Sequence, residues 1–295
     1  MPKKSQEVFD IQLEAGIICK AVGAAAAVGV GCYMTLFEQF DIRVREFEMA
    51  FSNLPTAFDG YTILHLSDLH LTKLGRLEKR TMEIIEAREV DTCVVTGDIT
   101  QDPRASDVFR RVCSVIKHRD PLFAILGNSE HKPWVSTSIL KEALTFDGLN
   151  MLVNSSSRIT RDGQSIAVVG VDDAYSRLAD VDAAFAGVDP EDFIIYLTHC
   201  PSTTPQGIAR GADLTLAGHT HGGQVRIPRL NLFWTHMRAN RRLNDGLYTP
   251  DKLRRVLKTD VGESTLFVNR GVGTSRLHIR LCCPPEIVYI VLRKA

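Results

Sequence analysis

The sequence predicts an α/β fold built on two sheets, and three observations lead to it. Short β-rich runs alternate with amphipathic stretches through the first half of the chain. Further apolar runs follow in the second half, with fewer helical stretches between them. An apolar stretch at the N-terminus stands apart from both. Strand–helix–strand alternation argues for parallel neighbours in one sheet. The later run of strands argues for a second, mixed sheet packed on the first.

Taken in order, the N-terminal stretch comes first. AVGAAAAVGVGCYMTLF, residues 21–37, carries no charge over 17 residues, and Lys20 alone interrupts an apolar run from Ala15 to Phe37. That length is the short limit for crossing a bilayer. Charged flanks on both sides favour a single membrane anchor over a buried Ala/Gly-rich helix. Glu7, Asp10 and Glu14 beside Lys3 and Lys4 argue against a cleaved secretory signal. Lys3, Lys4 and Lys20 before the segment compete with Arg43 and Arg45 after it, which leaves the orientation open. The expected organisation is an anchor segment over residues 1–40 and one domain over 41–295. Residues 38 to about 57 read as a connector leading into a strand.

YTILHL (61–66), TCVVTG (92–97) and LFAIL (122–126) read as buried strands by their β-branched and aromatic content. Between them, 76–89 and 104–118 have helical spacing, with Val108, Val112, Val115 and Ile116 on one face. IAVVG (166–170), FIIYLT (193–198), DLTLA (213–217), TLFVN (265–269) and IVYIVL (287–292) are the later strands.

The residues just past these strands suggest chemistry. Asp68 and His70 follow the first strand, Asp98 the second and Asn128 the third. His199 follows 193–198, and His219 and His221 follow 213–217. In an open α/β sheet, loops beyond the carboxyl ends of strands converge on one crevice. Each residue alone has a plain reading: a satisfied histidine, or an aspartate that turns the chain or caps a helix. Seven ligand-type side chains, each just past an apolar strand, make that coincidence improbable. Carboxylate, imidazole and amide oxygen suit manganese, iron or zinc, with manganese favoured. Alternate residues on an extended segment point to opposite sides. His219 and His221 would then reach two different ions if Asp98 bridges them. Gly218, Gly222 and Gly223 let the backbone turn sharply there.

D-x-H, GD, GN, TH and GHTH, in this order, resemble the calcineurin-like metallophosphoesterases over about residues 45 to 293. Residues 54–71 and 266–287 are similar to the opening and closing segments of the branch that carries an N-terminal membrane segment. The resemblance implies a four-layer α/β/β/α sandwich of two mixed sheets. It implies one ion held by Asp68, His70 and His221, and another by Asn128, His199 and His219, with Asp98 between them. A hydroxide held by the pair would attack phosphorus in line. Enzymes similar to this branch cleave the pyrophosphate of UDP-diacylglucosamine, and others hydrolyse simple phosphodiesters.

One departure from the family pattern stands out. The family has His directly after the Asn, and here GNSEH puts Ser129 in that slot and His131 two places on. Asn128 and His131 are the candidate catalytic residues. Either His131 swings in, or the substrate does without an acid. An alkoxide leaving group needs one. A nucleoside monophosphate leaving from a pyrophosphate does not, which favours an anhydride.

From Arg226 to Lys258 the chain holds nine Lys/Arg against two Asp/Glu. Arg226, Arg229, Arg238, Arg241 and Arg242 interleave with Leu232, Phe233 and Trp234. A solvated charged face is the plain reading. A basic, partly apolar flap would instead hold a phosphate headgroup beside anionic lipid, with Arg226, Arg238, Arg241 and Arg242 as the substrate-binding candidates. The expected partners are a phosphorylated lipid or nucleotide-lipid substrate and a membrane surface.

Composition bounds the rest. Hydrophobic residues make up 44% and charged residues 24%, as in a globular chain with a full core. Lys+Arg and Asp+Glu are 35 each, so no global attraction to nucleic acid is expected. Seven cysteines with irregular spacing predict no disulfide framework, which favours the cytoplasmic face of the inner membrane. A rival class is a non-catalytic binding module of the same fold, and the seven filled ligand positions weigh against it. A structural zinc site on His219 and His221 fits less well, since such sites commonly use thiolates.

Overall fold

A computed structural model describes residues 20–227 and 242–295. The first described element is helix α1, Lys20–Phe40, almost wholly exposed and apolar. Its 21 residues would span about 31 Å, close to a bilayer's hydrocarbon core. Strands β1 (Arg43–Phe51) and β2 (Thr62–Leu66) follow, then α2 (Arg76–Glu86). Next come β3 (Glu89–Val90), β4 (Thr92–Thr96), α3 (Ser106–Ser114), β5 (Lys117–His118) and β6 (Leu122–Ile125). After α4 (Thr137–Leu144) run β7 (Leu149–Leu152), β8 (Ser155–Arg161) and β9 (Gln164–Gly170). The remainder is α5 (Val181–Ala184), β10 (Phe193–Leu197), α6 (Thr204–Ile208), β11 (Leu214–Ala217), β12 (Gly246–Tyr248), α7 (Pro250–Leu257), β13 (Thr265–Val268) and β14 (Glu286–Lys294).

Two six-stranded sheets form, ordered β1-β14-β2-β4-β6-β7 and β12-β13-β11-β10-β9-β8, with β3 and β5 as a small separate pair. The first is parallel except where β14 meets β2. The second is antiparallel only at its two edges. Period-two alternation explains the layering. Ile63, Val94 and Phe123 face inward and pack with Val168, Ile195, Leu216 and Phe267 of the second sheet. Their neighbours Leu64, Val95 and Ala124 face outward, under Ile85 of α2, Phe109 and Val112 of α3 and Leu140 of α4. On the far side, Val169 and Ile194 pack with Ala184 of α5, and Leu266 and Val268 with Leu253 of α7. The result is the α/β/β/α sandwich.

Two local readings change. The helix expected over 104–118 is a 3-10 turn, Pro103–Ala105, followed by α3. Asp102 starts it by accepting the Arg104 N–H, and Phe109, absent from the expected face, is fully buried. The connector expected over 38–57 contains the nine-residue strand β1. Phe47 and Phe51 reach across to Phe267 and Phe193, each with ring centroids 5.0 Å apart. Exposed Arg43, Glu46 and Glu48 keep this edge polar, and that charge disguised the strand.

Candidate metal centre

Parallel order brings the loops together. β2, β4 and β6 are neighbours, so their carboxyl ends open on one edge of the first sheet. β10 and β11 do the same in the second. The backbone at this edge is unusual. Asp68 (φ 49°), His70 (46°), Asp98 (51°), His219 (70°) and His221 (49°) all lie in the left-handed region. That costs on the order of 1–3 kcal/mol per residue and persists only where neighbours hold it. Gly218 is one such neighbour, since any Cβ there would collide with Ser67 and the Asp68 carboxylate. The two histidines of GHTH therefore diverge through a left-handed turn, not through the extended segment expected from the sequence.

The side chains converge. The Ser67 hydroxyl and the His219 N–H both donate to Asp68 Oδ2, at 2.6 and 3.0 Å. Asp68 Oδ1 is buried without a hydrogen-bond partner and lies 3.3 Å from His221 Nε2. His70 and His221 bring their Nε2 atoms within 3.2 Å of each other. Asp98 reaches both ways, with Oδ2 3.4 Å from His70 Nε2 and Oδ1 3.3 Å from His199 Nε2. His219 Nδ1 lies 3.2 Å from His199 Nε2. His199 donates its Nδ1–H to the Thr96 carbonyl at 2.8 Å, which turns Nε2 toward Asp98. Asn128 is half-buried, and the N–H of the next residue, Ser129, donates to Asp98 Oδ1 at 2.7 Å.

The electrostatics call for positive charge. Burial raises the Asp68 carboxyl, and the Asp98 charge raises it further. Burial works against Asp98 as well, but His199 and His70 outweigh it and hold Asp98 well below the usual carboxylate range. His199 is lifted well above an ordinary imidazole because Asp98 overcomes its burial. His221 is driven well below by burial and by His70. One potential ligand atom from each of Asp68, His70, Asp98 and His221 lies within 4.8 Å of the others. An oxygen-and-imidazole donor set with an unpartnered carboxylate oxygen fits a hard-to-borderline divalent cation.

The calcineurin-like phosphoesterase model matches residues 61–223, over half of the chain, from β2 through the His221 turn. The chain belongs to this family. As a calcineurin-like metallophosphoesterase it is a hydrolase of a family that uses divalent metals. YkuE, an uncharacterised metallophosphoesterase of Bacillus subtilis, is 28% identical over 279 residues, covering 92% of this chain and 93% of that one. The UDP-2,3-diacylglucosamine pyrophosphatase LpxG of Chlamydia trachomatis is 28% identical over 290 residues, 80% of this chain and 85% of its own. The phosphodiesterase YaeI of Escherichia coli is 26% identical over 238 residues, 79% and 82% respectively.

Several residues of this phosphoesterase escaped the sequence reading. Glu130 is fully buried and accepts the N–H groups of Gly127 (2.7 Å), Asp98 (3.1 Å) and Thr100 (2.9 Å). Burial and the Asp98 charge push its carboxyl up to about 8. It ties the Asp98 loop to the Asn128 loop. The signal was present, since a glutamate so close to a buried strand needs a partner. Fully buried Arg280 donates to the carbonyls of Cys283, Arg270 and Gly271 at 3.0–3.1 Å, and to that of Gly273. The clamped segment in turn donates the Val272 and Gly273 N–H groups to the Ser67 and Asp68 carbonyls.

The other candidates fall outside the cluster. His131 donates to Asp172 Oδ1 at 2.6 Å and pairs with Thr137 Oγ1 at 3.3 Å, and neither bond is to one of the seven. Ser129 stands where the family has His, its hydroxyl 3.4 Å from His70 Nδ1. Arg226 is held by Asp245 at 2.9 Å and donates to the Gly222 carbonyl, bracing the turn after His221. Arg242 is exposed. Arg229, Leu232, Phe233, Trp234, Arg238 and Arg241 lie outside the described residues, as do residues 1–19 of the expected anchor. Cys200 packs inward, and burial raises its thiol.

Proposed function

We propose that this metallophosphoesterase hydrolyses a phosphoanhydride or phosphoester of a membrane-associated lipid or nucleotide-linked lipid precursor. Asp68, His70 and His221 would hold one divalent ion, and Asn128, His199 and His219 a second, with Asp98 between. The observation that carries this reading is Asp98, whose two oxygens reach different imidazoles, His70 and His199. When bound, such a pair supplies a nucleophile near neutral pH and neutralises charge on the phosphoryl oxygens.

The chain's own groups do the positioning. Thr96 fixes the tautomer of His199, Ser67 and the His219 N–H orient Asp68, and Glu130 holds the Asp98 loop. Ser129 has no imidazole to act as an acid, and His131 is engaged by Asp172 and Thr137. That favours a leaving group stable as an anion, and so a pyrophosphate. The likeness to a UDP-diacylglucosamine pyrophosphatase supports the same choice. We read residues 1–40 as the anchor, given the length and exposure of α1, and 41–295 as the catalytic domain. The free state of the described cysteines favours the cytoplasmic face.

The test is purified full-length protein loaded with manganese and offered UDP-diacylglucosamine and a p-nitrophenyl phosphodiester. Two ions per chain and turnover of the pyrophosphate are expected. Turnover of the diester alone sinks the pyrophosphate preference and leaves a general phosphodiesterase, as the likeness to YaeI would suggest. A chain that retains no metal after loading is a binding module instead.

A further inference from the structure

A cavity of about 340 Å³ opens beside the centre, lined by Thr220, His221, Gln224, Val225, Leu277 and Ile279 among others. That volume is at the small end of the ~300–1,000 Å³ range of ligand pockets. His221 is its inner end, the same imidazole that lies 3.3 Å from Asp68 Oδ1. Val225, Leu277 and Ile279 make the lining surface largely apolar, Gln224, Ser275 and the exposed Arg276 add polar groups, and His221 supplies the only ring among the described lining residues. Leu277 is 64% exposed at the rim, where it carries the apolar lining outward.

The walls are fastened together. Gln224 Oε1 accepts the Ser275 N–H at 2.9 Å, and its Nε2 donates to the Leu277 carbonyl at 2.8 Å. Leu281 N–H donates to the Gln224 carbonyl at 3.0 Å, and Arg226 N–H to the Leu281 carbonyl at 2.8 Å. The segment that forms the outer wall also receives α1. Next to Ile279, the Arg280 N–H donates to the Met34 carbonyl at 3.3 Å. The Cys283 N–H donates at 2.7 Å to Glu38, which is buried at the end of α1. One short stretch of chain thus touches both the apolar cavity and the membrane-length helix.

We infer that this cavity is a subsite for the hydrocarbon part of a phosphorylated amphiphile whose phosphoryl group sits at the centre. The inference rests on the phosphoryl chemistry proposed above and adds where the substrate's apolar part goes. Val225, Leu277 and Ile279 would take methylenes, and among the described lining residues no ring other than that of His221 is present to stack a nucleobase. The size admits part of one chain and not a whole lipid. Docking of α1 on the outer wall puts the rim beside the bilayer, so a lipid would reach the centre without leaving the interface.

The test uses full-length, manganese-loaded protein in nanodiscs. Binding of methylphosphonate and hexylphosphonate is measured by calorimetry, beside turnover of methyl and hexyl p-nitrophenyl phosphodiesters. Each methylene that enters the cavity is expected to tighten binding roughly fourfold. Hexyl compounds should therefore exceed methyl ones by about tenfold or more in both readouts. Leu277→Glu, at an exposed position that folding tolerates, should collapse that ratio toward one. Ile139→Glu, an exposed residue of α4, should retain it and so controls for partition into the disc. An equal ratio in wild type and Leu277→Glu overturns the subsite alone. Failure of both phosphonates to bind the metal-loaded protein overturns the phosphoryl reading and the subsite together.

Discussion

His65 and His199 are both completely buried, and both hydrogen-bond to Thr96. His65 pairs through Nε2 with the Thr96 hydroxyl at 2.9 Å, and His199 through Nδ1 with the carbonyl at 2.8 Å. Burial alone drives His65 down to about 3, so it stays neutral. His199 moves the other way because Asp98 stands 3.3 Å from its second nitrogen. The same side chain at the same depth is therefore packing in one place and a cation-seeking group in the other. A carboxylate within reach makes the difference, and burial does not.

The most damaging way to break this contrast is Asp98→Asn, which turns the surroundings of His199 into those of His65. Turnover and retained metal should fall by more than the roughly 10–100-fold that changes behind a ligand cost. Metal content by mass spectrometry checks it, and a variant that keeps both ions would remove Asp98 from the bridge. Glu130→Gln acts one step back. It places an amide N–H against backbone donors that now share a carboxylate, so metal affinity should drop about 10–100-fold. Calorimetric titration with manganese reads that loss, and unchanged affinity would make Glu130 mere packing.

His65→Gln sharpens the other arm. Between about 3 and the unperturbed value near 6.5, the unfolded chain binds a proton at His65 that the native state refuses. Stability therefore rises with pH across that window, by up to about 1.4 kcal/mol per pH unit from this residue. Urea midpoints should depend less steeply on pH in His65→Gln than in wild type, and parallel curves would contradict the assignment. The smallest effect expected is that of Ser129→His, which restores the family pattern. It should raise cleavage of diesters with alkoxide leaving groups by about tenfold, short of the 10²–10⁴ of a well-placed acid. Diesters that release p-nitrophenolate should barely change, and an equal gain on both would mean that the new His acts other than as an acid.

Much of this was legible in the sequence because apolar strands announce themselves and their next residues are placed by topology. Ile63, Val94, Leu216 and Phe267 mark buried strands, and Asp68, Asp98 and His219 follow such strands into one edge. β1 was hidden because an edge strand with one solvated side reads as charged linker, four of the nine residues of Arg43–Phe51 being ionic. Glu130 and Arg280 were hidden for another reason. Their partners are backbone groups, mostly on the Asp98 loop for Glu130 and within residues 270–283 for Arg280, and the sequence shows that such a side chain needs partners without showing which carbonyl or N–H supplies them. The left-handed turn at His219–His221 lay in view as glycines, yet their spacing could not say which way the imidazoles would point.

β14 lies between β1 and β2, and Arg45 meets Glu286 from 241 positions away. The ribosome releases every other strand of both sheets before the one that joins β1 to the rest. Until then β1 has no partner in the sheet, although the helix before it has long since emerged. Such long-range pairing is slow to form. The Asp68 loop would thus wait for Arg280 as β1 waits for β14, and the edge that carries the cluster would be completed only after the earlier strands of both sheets exist.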